Sequence, residues 1–199
     1  MILIEQTTIP TLALPIQAFK DHLRLGTGFA DDALQDALIE SYLRAALATI
    51  EGRIGKALIA RRFLWRLEGW RQANEQALPV APVTQLVSIT VYDGLGGNTL
   101  VPSQVYRLVP DTHRPKVAGF GGALPVIPCE GRAEVVFDAG FGSAWDEVPA
   151  DLGQAVLLLA AEDYEYRHDG GIREAGLPIA VLTLIDRWRT VRVLGGGAS

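Results

Sequence analysis

Apolar residues recur at helical spacing near the start of the chain. The pattern predicts a first helix from about Pro15 to Leu25, which Gly26-Thr-Gly28 ends. Asp31 and Asp32 then offer an N-cap and favourable charge for a longer second helix. That helix carries two apolar rows, one of Leu34, Leu38 and Tyr42, the other of Ile39, Leu43, Ala46, Leu47, Ile50 and Ile54. Together the rows form a wider apolar stripe than a surface helix needs.

Two further helices are predicted near the end of the chain, each beginning at a proline, Pro149 and Pro178. The first contains seven consecutive apolar residues, Ala155–Ala161. A helix that is apolar all round must be covered on every side, and the chain has few other helices to cover it. We therefore predict that the chain is one subunit of an oligomer and that its helices pack against those of neighbouring copies. The predicted packing residues are Leu38, Tyr42, Leu43, Leu47, Leu157 and Leu158.

Between the helical ends, polar and apolar residues alternate with the period of strands. Residues 62–68, 86–92 and 133–138 are the clearest strands, with shorter ones at 99–101, 105–109 and 116–118. This order predicts an α+β chain. About four helices from both chain ends, residues 1–56 and 143–199, would form a helical module with a C-terminal arm. Residues 57–142 would form a small inserted antiparallel β-domain.

The overall composition is that of a folded protein, with 49% hydrophobic and 21% charged residues. A net charge of -5 argues against broad attraction to nucleic acid. The single cysteine, Cys129, excludes an internal disulfide and fits a reducing compartment. Residues 1–9 lack the basic start of a secretion signal, and no apolar run approaches the roughly 20 residues of a membrane span. We therefore expect synthesis in the cytoplasm and no membrane partner.

Charge is segregated along the chain more strongly than the total indicates. Residues 53–71 hold six basic residues and one acidic residue, whereas residues 133–166 hold eight acidic residues and no basic one. The bland interpretation is that these are solvated faces of unrelated elements. As a pattern, blocks of opposite charge favour head-to-tail association, in which one surface meets a different surface of the next copy.

No group of residues in the sequence indicates catalysis, a cofactor or a metal ion. The three histidines, His22, His113 and His168, fall in different predicted elements and lack the spacing of a zinc site. The glycine-rich residues 93–98 lack the carboxylates of an EF-hand and the lysine of a P-loop, so they predict a turn between strands. Residues 140–143 do not complete a nucleophile elbow. We predict that the chain is not an enzyme, and the rival hypothesis is an enzyme or ligand-binding domain that uses the loop at 93–98.

Trp188, which stands between Arg187 and Arg189, leaves two interpretations open. Trp and Arg are enriched in binding hot spots, so the three residues could dock on a partner protein. Alternatively, Trp188 completes the helical core.

The order of these segments resembles the head–tail connector, or adaptor, proteins of long-tailed bacteriophages and gene transfer agents. The resemblance covers roughly residues 12–192 and depends on order and spacing rather than on one diagnostic motif. Its segments are Gly55-Lys-Ala-Leu-Ile59, Pro79-Val-Ala-Pro-Val83, Val87-Ser-Ile-Thr-Val-Tyr-Asp93, Val105-Tyr-Arg107, Phe137-Asp-Ala-Gly-Phe-Gly142 and Val148-Pro-Ala-Asp-Leu-Gly-Gln-Ala155.

The resemblance implies a structural virion protein at the head–tail junction, without a cofactor. Adaptors of this kind form a ring of about twelve copies beneath the portal, extend the DNA channel and hold a tail-side stopper or terminator protein. Double-stranded DNA would pass without sequence recognition. The resemblance also implies a C-terminal arm, residues 186–199, that orders on the portal, with Arg187, Trp188, Arg189 and Arg192 as its docking residues.

The acidic residues near the third helix suit a conduit, because DNA that must slide should make few phosphate contacts. We predict that part of this set faces the channel or a neighbouring subunit: Asp146, Glu147, Asp151, Glu162, Asp163 and Glu165. The alternative to an adaptor is a tail or baseplate component whose β-domain binds partner proteins or glycans.

Overall fold

The structure, a computed structural model, describes residues 1–23, 33–166 and 176–189. It contains four α-helices: α1 (Ile16–His22), α2 (Ala33–Ile54), α3 (Ala150–Glu165) and α4 (Ile179–Ile185). The strands are β1 (Ile2–Glu5), β2 (Arg61–Leu67), β3 (Glu75–Ala77), β4 (Val83–Tyr92), β5 (Asn98–Leu100), β6 (Tyr106–Val109), β7 (Lys116–Gly119) and β8 (Arg132–Ala139). The predicted α+β class is confirmed. The N-cap predicted at Asp31 and Asp32, and His168, lie outside the described residues.

The strands form two antiparallel sheets. The larger has five strands in the order β1-β2-β8-β4-β5, and the smaller has three in the order β3-β7-β6. In the larger sheet β8 lies at the centre, where Phe63 of β2 is opposite Phe137 and Ile89 of β4 is opposite Val135. All four side chains are buried, so the middle of this sheet carries the core of the β-rich region.

Two strands were not predicted from the sequence. All of the side chains of β1 are exposed and three of them are apolar, so β1 lacks the alternation that marks a half-buried strand. β3 has only three residues, which is too short for a periodic signal. The predicted division of the chain assigns residues 1–56 to the helical module, but β1 pairs with β2 in the larger sheet. The division otherwise stays a prediction.

The buried apolar side chains form two clusters. One joins the helices and is built on the second apolar row of α2, whose residues 39, 43, 46, 47, 50 and 54 are all buried. The other joins the two sheets around Trp65, Val135 and Phe137. The link between α2 and β2 contributes to both, since Ala57 belongs to the sheet cluster while Leu58 and Ile59 belong to the helical one.

A buried ion pair joins the helical and β-rich regions. Arg61, at the start of β2, pairs its Nη2 with Glu51 Oε2 of α2 at 2.6 Å and its Nε with Glu5 Oε1 of β1 at 2.9 Å. Glu51 Oε1 also accepts the backbone N–H of Leu58 at 2.6 Å. Charges removed from water need paired partners to offset their desolvation, so this cluster fixes α2, β1 and β2 to one another.

Gly140 permits the chain to pass close to the same junction. Its φ is +143°, and a Cβ at this position would lie 2.3 Å from the Cα of Ala60. Only glycine combines that backbone conformation with so close an approach.

Candidate interaction surfaces

The apolar run of α3 is covered mainly by the chain's own helices. Five of its seven residues are buried, and Leu157 and Leu158 are partly buried against the same cluster. Leu43 and Leu47 of α2 are also buried in that cluster. The prediction that these two leucines pack against a neighbouring subunit is therefore wrong, because neither reaches the surface. The helical region therefore buries more of its apolar surface within one chain than its sequence indicates.

Four of the predicted subunit-packing residues remain accessible to some degree. Leu38 is 41% exposed, while Tyr42, Leu157 and Leu158 are partly buried. Tyr42 meets Tyr164 edge to face, with ring centroids 5.7 Å apart. The first apolar row of α2 thus provides a narrow accessible stripe beside α3.

Asp151, in the first turn of α3, anchors the segment that follows α4. Its Oδ2 accepts the indole N–H of Trp188 at 2.7 Å and pairs with Arg187 Nε at 2.8 Å. The ring of Trp188 also packs edge to face on Phe141, with centroids 5.3 Å apart. A carboxylate near a helix N-terminus is favoured by the helix dipole, so the anchor is placed where its charge is stabilised.

These contacts decide between the two interpretations of Trp188. The side chain is partly buried against the helical cluster, which supports its role in completing the core. Residues 186–188 form a 3₁₀ turn. The arm predicted to begin at Asp186 is therefore packed on α3 as far as Trp188, while Arg189 is exposed and pairs with Asp186 Oδ1 at 3.4 Å. Arg192 lies outside the described residues.

The predicted acidic set is divided between the two ends of α3. Asp146, Glu147 and Asp151 lie at its start, and Glu162, Asp163 and Glu165 at its end, roughly 16 Å away at 1.5 Å per residue. The set is therefore two acidic groups rather than one surface.

Glu147 has a local structural role in the first of these groups. Its carboxylate accepts the backbone N–H of Ala144 at 2.9 Å and the hydroxyl of Ser143 at 3.3 Å. Hydrogen bonds from the backbone of Ala144 and Ser143 lower the pKa of Glu147 below its ordinary value of 4.5. The carboxylate thus stabilises the turn before α3, and Asp146 beside it is exposed as well.

The oppositely charged blocks meet each other within one chain. Because β2 and β8 are antiparallel neighbours, Arg62 makes a bidentate pair with Asp138 at 2.8 and 2.9 Å. Arg66 pairs with Glu134 at 2.8 Å, and Arg132 reaches the same carboxylate at 3.3 Å. The prediction that these blocks drive head-to-tail association is therefore wrong for the charges on β2 and β8.

Lys56 shows the same internal use of a basic residue. Its side chain is buried, and its ammonium group donates to the carbonyl oxygen of Thr112. Burial lowers the pKa of Lys56, and the nearby charge of Asp111 opposes that change. Lys56 thus ties the end of α2 to a loop of the β-rich region and offers no charge to a partner.

Several exposed apolar residues lie on the β-rich region and were not among the predicted site residues. Ile2, Leu3 and Ile4 of β1 are 56, 40 and 38% exposed. At the opposite edge of the larger sheet, Leu100 of β5 is 64% exposed. The tip between β4 and β5 and the loop before β8 expose Leu95, Phe120 and Val126. The run Met1–Ile4 was the available sequence signal, but an apolar run does not reveal that both its faces are open.

The residues that the sequence analysis considered for ligand binding or catalysis show no arrangement for chemistry in the described part of the chain. Asp93 Oδ1 accepts the backbone N–H groups of Leu95 and Gly97 at 2.9 and 2.7 Å, as expected of a carboxylate that closes a turn. His22 and His113 are exposed in separate elements, and Cys129 is exposed in a loop. Within residues 1–23, 33–166 and 176–189, no cluster of acidic, histidine or cysteine side chains could hold a metal ion. No helix in these ranges has the length and apolarity to cross a bilayer.

No protein-family model and no curated protein matches the chain, but solved structures match it over nearly its whole length. A chain in the neck of an empty gene transfer agent particle, computed with C6 symmetry, is 52% identical with a TM-score of 0.88. A chain in the virion of a native gene transfer agent particle is 53% identical with a TM-score of 0.86. A chain in the native neck, computed with C12 symmetry, is 49% identical with a TM-score of 0.83. Each alignment covers 98% of this chain and 99% of the other.

Proposed function

Because the chain belongs to the family of neck proteins of gene transfer agent particles, we propose that it is their head–tail adaptor. In this role about twelve copies form a ring between the portal and the tail-side proteins and extend the DNA channel. The protein acts as a structural virion component and catalyses no reaction.

One observation carries the proposal: 49–53% identity to neck and virion chains that extends over 98% of this chain. The similarity therefore includes both the helical and the β-rich regions rather than one of them alone. The C12 symmetry of one of these necks supports a closed ring rather than a single copy. The position of these relatives in the neck favours an adaptor over the alternative of a baseplate component.

The anchored segment after α4 supports a portal-docking role for the residues that follow it. Asp151 holds Trp188 and Arg187 against α3, so the last described residues before the proposed docking residues have a fixed position. In the proposal, Arg187 and Trp188 position the arm, and Arg189 and Arg192 reach the portal. An arm held at a fixed origin loses less conformational freedom on binding than one attached to a mobile end.

The charge of the chain suits a DNA conduit. A net charge of -5 limits the number of phosphate contacts that could slow a sliding duplex. Asp146 and Glu165 are exposed and belong to the two acidic groups of α3. We assign them to the channel in preference to Asp151 and Glu147, whose carboxylates are used within the fold. Glu162 and Asp163 remain candidates for the channel or a subunit interface.

The tail-side contact is assigned to the loops of the β-rich region. Leu95, Phe120 and Val126 are exposed there, and exposed apolar residues of this kind fit a protein partner such as a stopper or terminator. The Leu95→Asp and Val126→Asp variants should bind the portal normally but fail to recruit the tail-side protein. Loss of portal binding by these variants would contradict the assignment.

The decisive experiment mixes the full-length chain with its cognate portal ring and measures the mass of the complex. We expect a portal carrying a complete ring of about twelve chains. A chain lacking residues 190–199 tests the arm alone, and a chain lacking 186–199 also removes the Trp188 anchor. We expect both to bind at least about tenfold more weakly, equivalent to about 1.4 kcal/mol. Full-length protein that leaves the portal mass unchanged would refute the adaptor function, whereas truncations without effect would refute only the arm.

A further inference from the structure

The larger sheet ends in two strands whose outer sides have no partner within the described chain. β1 pairs only with β2, and β5 pairs only with β4. Edge strands present unpaired backbone N–H and C=O groups that readily pair with another chain. The two edges are separated by the full width of the sheet, so they face opposite sides of the subunit.

β1 lacks the features that usually protect a sheet edge. It contains no lysine or proline, and the carboxylate of its one charged residue, Glu5, is paired with Arg61 of β2 in the same subunit. Ile2 and Ile4 lie on one face of the strand and Leu3 on the other, and all three are exposed. An edge that is apolar on both faces is expected to be covered in the assembled protein.

The opposite edge presents a matching apolar residue. Following the antiparallel register from Ile2 through β2, β8 and β4 leads to Leu100 of β5 on the same face of the sheet. β5 is exposed along its whole length and carries no charge. Between the edges, the Arg62–Asp138 and Arg66–Glu134 pairs cover this face, so the apolar positions that remain accessible on it are concentrated at its edges.

We propose that β1 of one copy of the chain packs edge to edge against β5 of the next copy, so that sheet contacts link the ring. The inference rests on the proposed ring. Four antiparallel steps separate β1 from β5, so the two strands run in the same direction. Rotation by one twelfth of a circle between neighbours keeps the two strand directions close to parallel, so the two edges can meet as a short parallel pair. Because the contact joins two different surfaces, it closes a cyclic ring instead of a two-fold dimer.

Disulfide trapping tests the contact directly. The Cys129→Ser background removes the single native thiol, and Ile2→Cys combined with Leu100→Cys then places one thiol at each edge, at positions that share one row of the sheet. Paired strands lie about 4.8 Å apart, within reach of a disulfide. After oxidation of portal-bound rings, we expect a ladder of covalent oligomers on denaturing gels. Ile2→Cys combined with Val126→Cys is the matched control, because Val126 is exposed on the loop before β8 and belongs to neither edge strand.

A charge placed on the edge provides a second, independent measurement. The Ile2→Lys and Ile4→Lys double variant should fold normally, because both side chains are exposed, but should lower occupancy of the portal by about tenfold at limiting concentration. Leu12→Lys is the control, since Leu12 is fully exposed on the helical region.

The outcomes separate the inference from the proposed function. Complete rings of normal mass that give no ladder through the cysteines at positions 2 and 100 and tolerate the lysine variant would overturn the edge contact while leaving the adaptor function intact. A ladder that forms equally well with Val126→Cys would also overturn it. Wild-type chains that form no ring on the portal would overturn the function, and the edge contact with it.

Discussion

Two apolar runs of the chain, one in a helix and one at a sheet edge, differ in whether the fold covers them. The seven residues Ala155–Ala161 of α3 lie among α1, α2 and α4 and are largely buried, whereas the four residues Met1–Ile4 are all exposed at a sheet edge. The longer run predicts contact with neighbouring subunits, but helices of the same chain cover most of that run. The shorter run carries the weaker sequence signal and is the one left uncovered.

The difference arises from where each run lies in the topology. A helix between other helices is covered from several directions, because chain segments distant in sequence return to pack on it. A strand at the end of a sheet has a neighbour on only one side, whatever its composition. The need for a partner is therefore set by position in the fold and not by the length of an apolar run.

The largest expected effect is a difference between the two runs in how much a substitution lowers the free energy of unfolding. Leu159→Ala in the buried run should lower the free energy of unfolding by roughly 3 kcal/mol, because it leaves a cavity among the helices. Ile4→Ala in the exposed run should change it by less than about 0.5 kcal/mol. Urea denaturation of the isolated chain measures both. Equal losses would mean that the edge strand is part of the subunit core, contrary to the comparison.

The junction between the two regions should show the next largest effect. Gly140→Ala should cost roughly 2 kcal/mol, because the added Cβ meets backbone atoms of Ala60. Gly121→Ala is the matched control, since Gly121 also has a positive φ, +79°, but open space around it, and should cost about 1 kcal/mol. Thermal unfolding of the two variants compares them. A Gly140 variant as stable as the Gly121 variant would show that the close approach at the junction is not required.

The anchor of the C-terminal segment should show a smaller effect on stability. Asp151→Asn removes the negative charge that holds Arg187 and weakens the acceptor of the Trp188 indole, at a cost of about 1 kcal/mol. Trypsin should then cleave after Arg187 faster than in the wild type. Asp186→Asn, which affects only an exposed pair, should leave the cleavage rate unchanged. Unaltered cleavage in the Asp151 variant would mean that other contacts hold the segment.

The smallest effect concerns pH. The pKa of Glu147 is lowered in the folded chain, so its contribution to stability is present above about pH 4.5, the ordinary value, and is lost as pH falls through the lowered pKa. Glu147→Gln should therefore reduce stability at pH 7 and make it less sensitive to acid between pH 4.5 and the lowered pKa. Glu165→Gln at an exposed position is the control. If the stability of the Glu147→Gln variant and of the wild type depends on pH in the same way, Glu147 does not have the proposed role in stabilising the turn.

The elements that could be predicted were those with a clear local period. The second apolar row of α2 and the alternation in β2 and β8 gave helix and strand correctly, because each element buries one periodic set of side chains. β1 was missed because its period is hidden by apolar residues on both faces. Leu43 and Leu47 were misassigned because an apolar row does not indicate whether its cover comes from the same chain or from another.

The charge blocks show a second limit of sequence reasoning. Arg62 and Asp138 are 76 residues apart, and only the pairing of β2 with β8 brings them together. Such a pairing is a property of topology, which a list of charges along the chain does not contain. Trp188 was predicted only in part. The sequence indicated its position near a helix end, but its contact with Asp151 depends on how α3 and α4 pack.

Cys129 has a practical consequence for handling the protein. It is the single cysteine in the chain, and it is exposed. Preparations stored without reductant will slowly link in pairs through this thiol, and the linkage stops at two chains because each chain has no second thiol. On a sizing column such aged material imitates a genuine dimer, so masses should be recorded after fresh reduction.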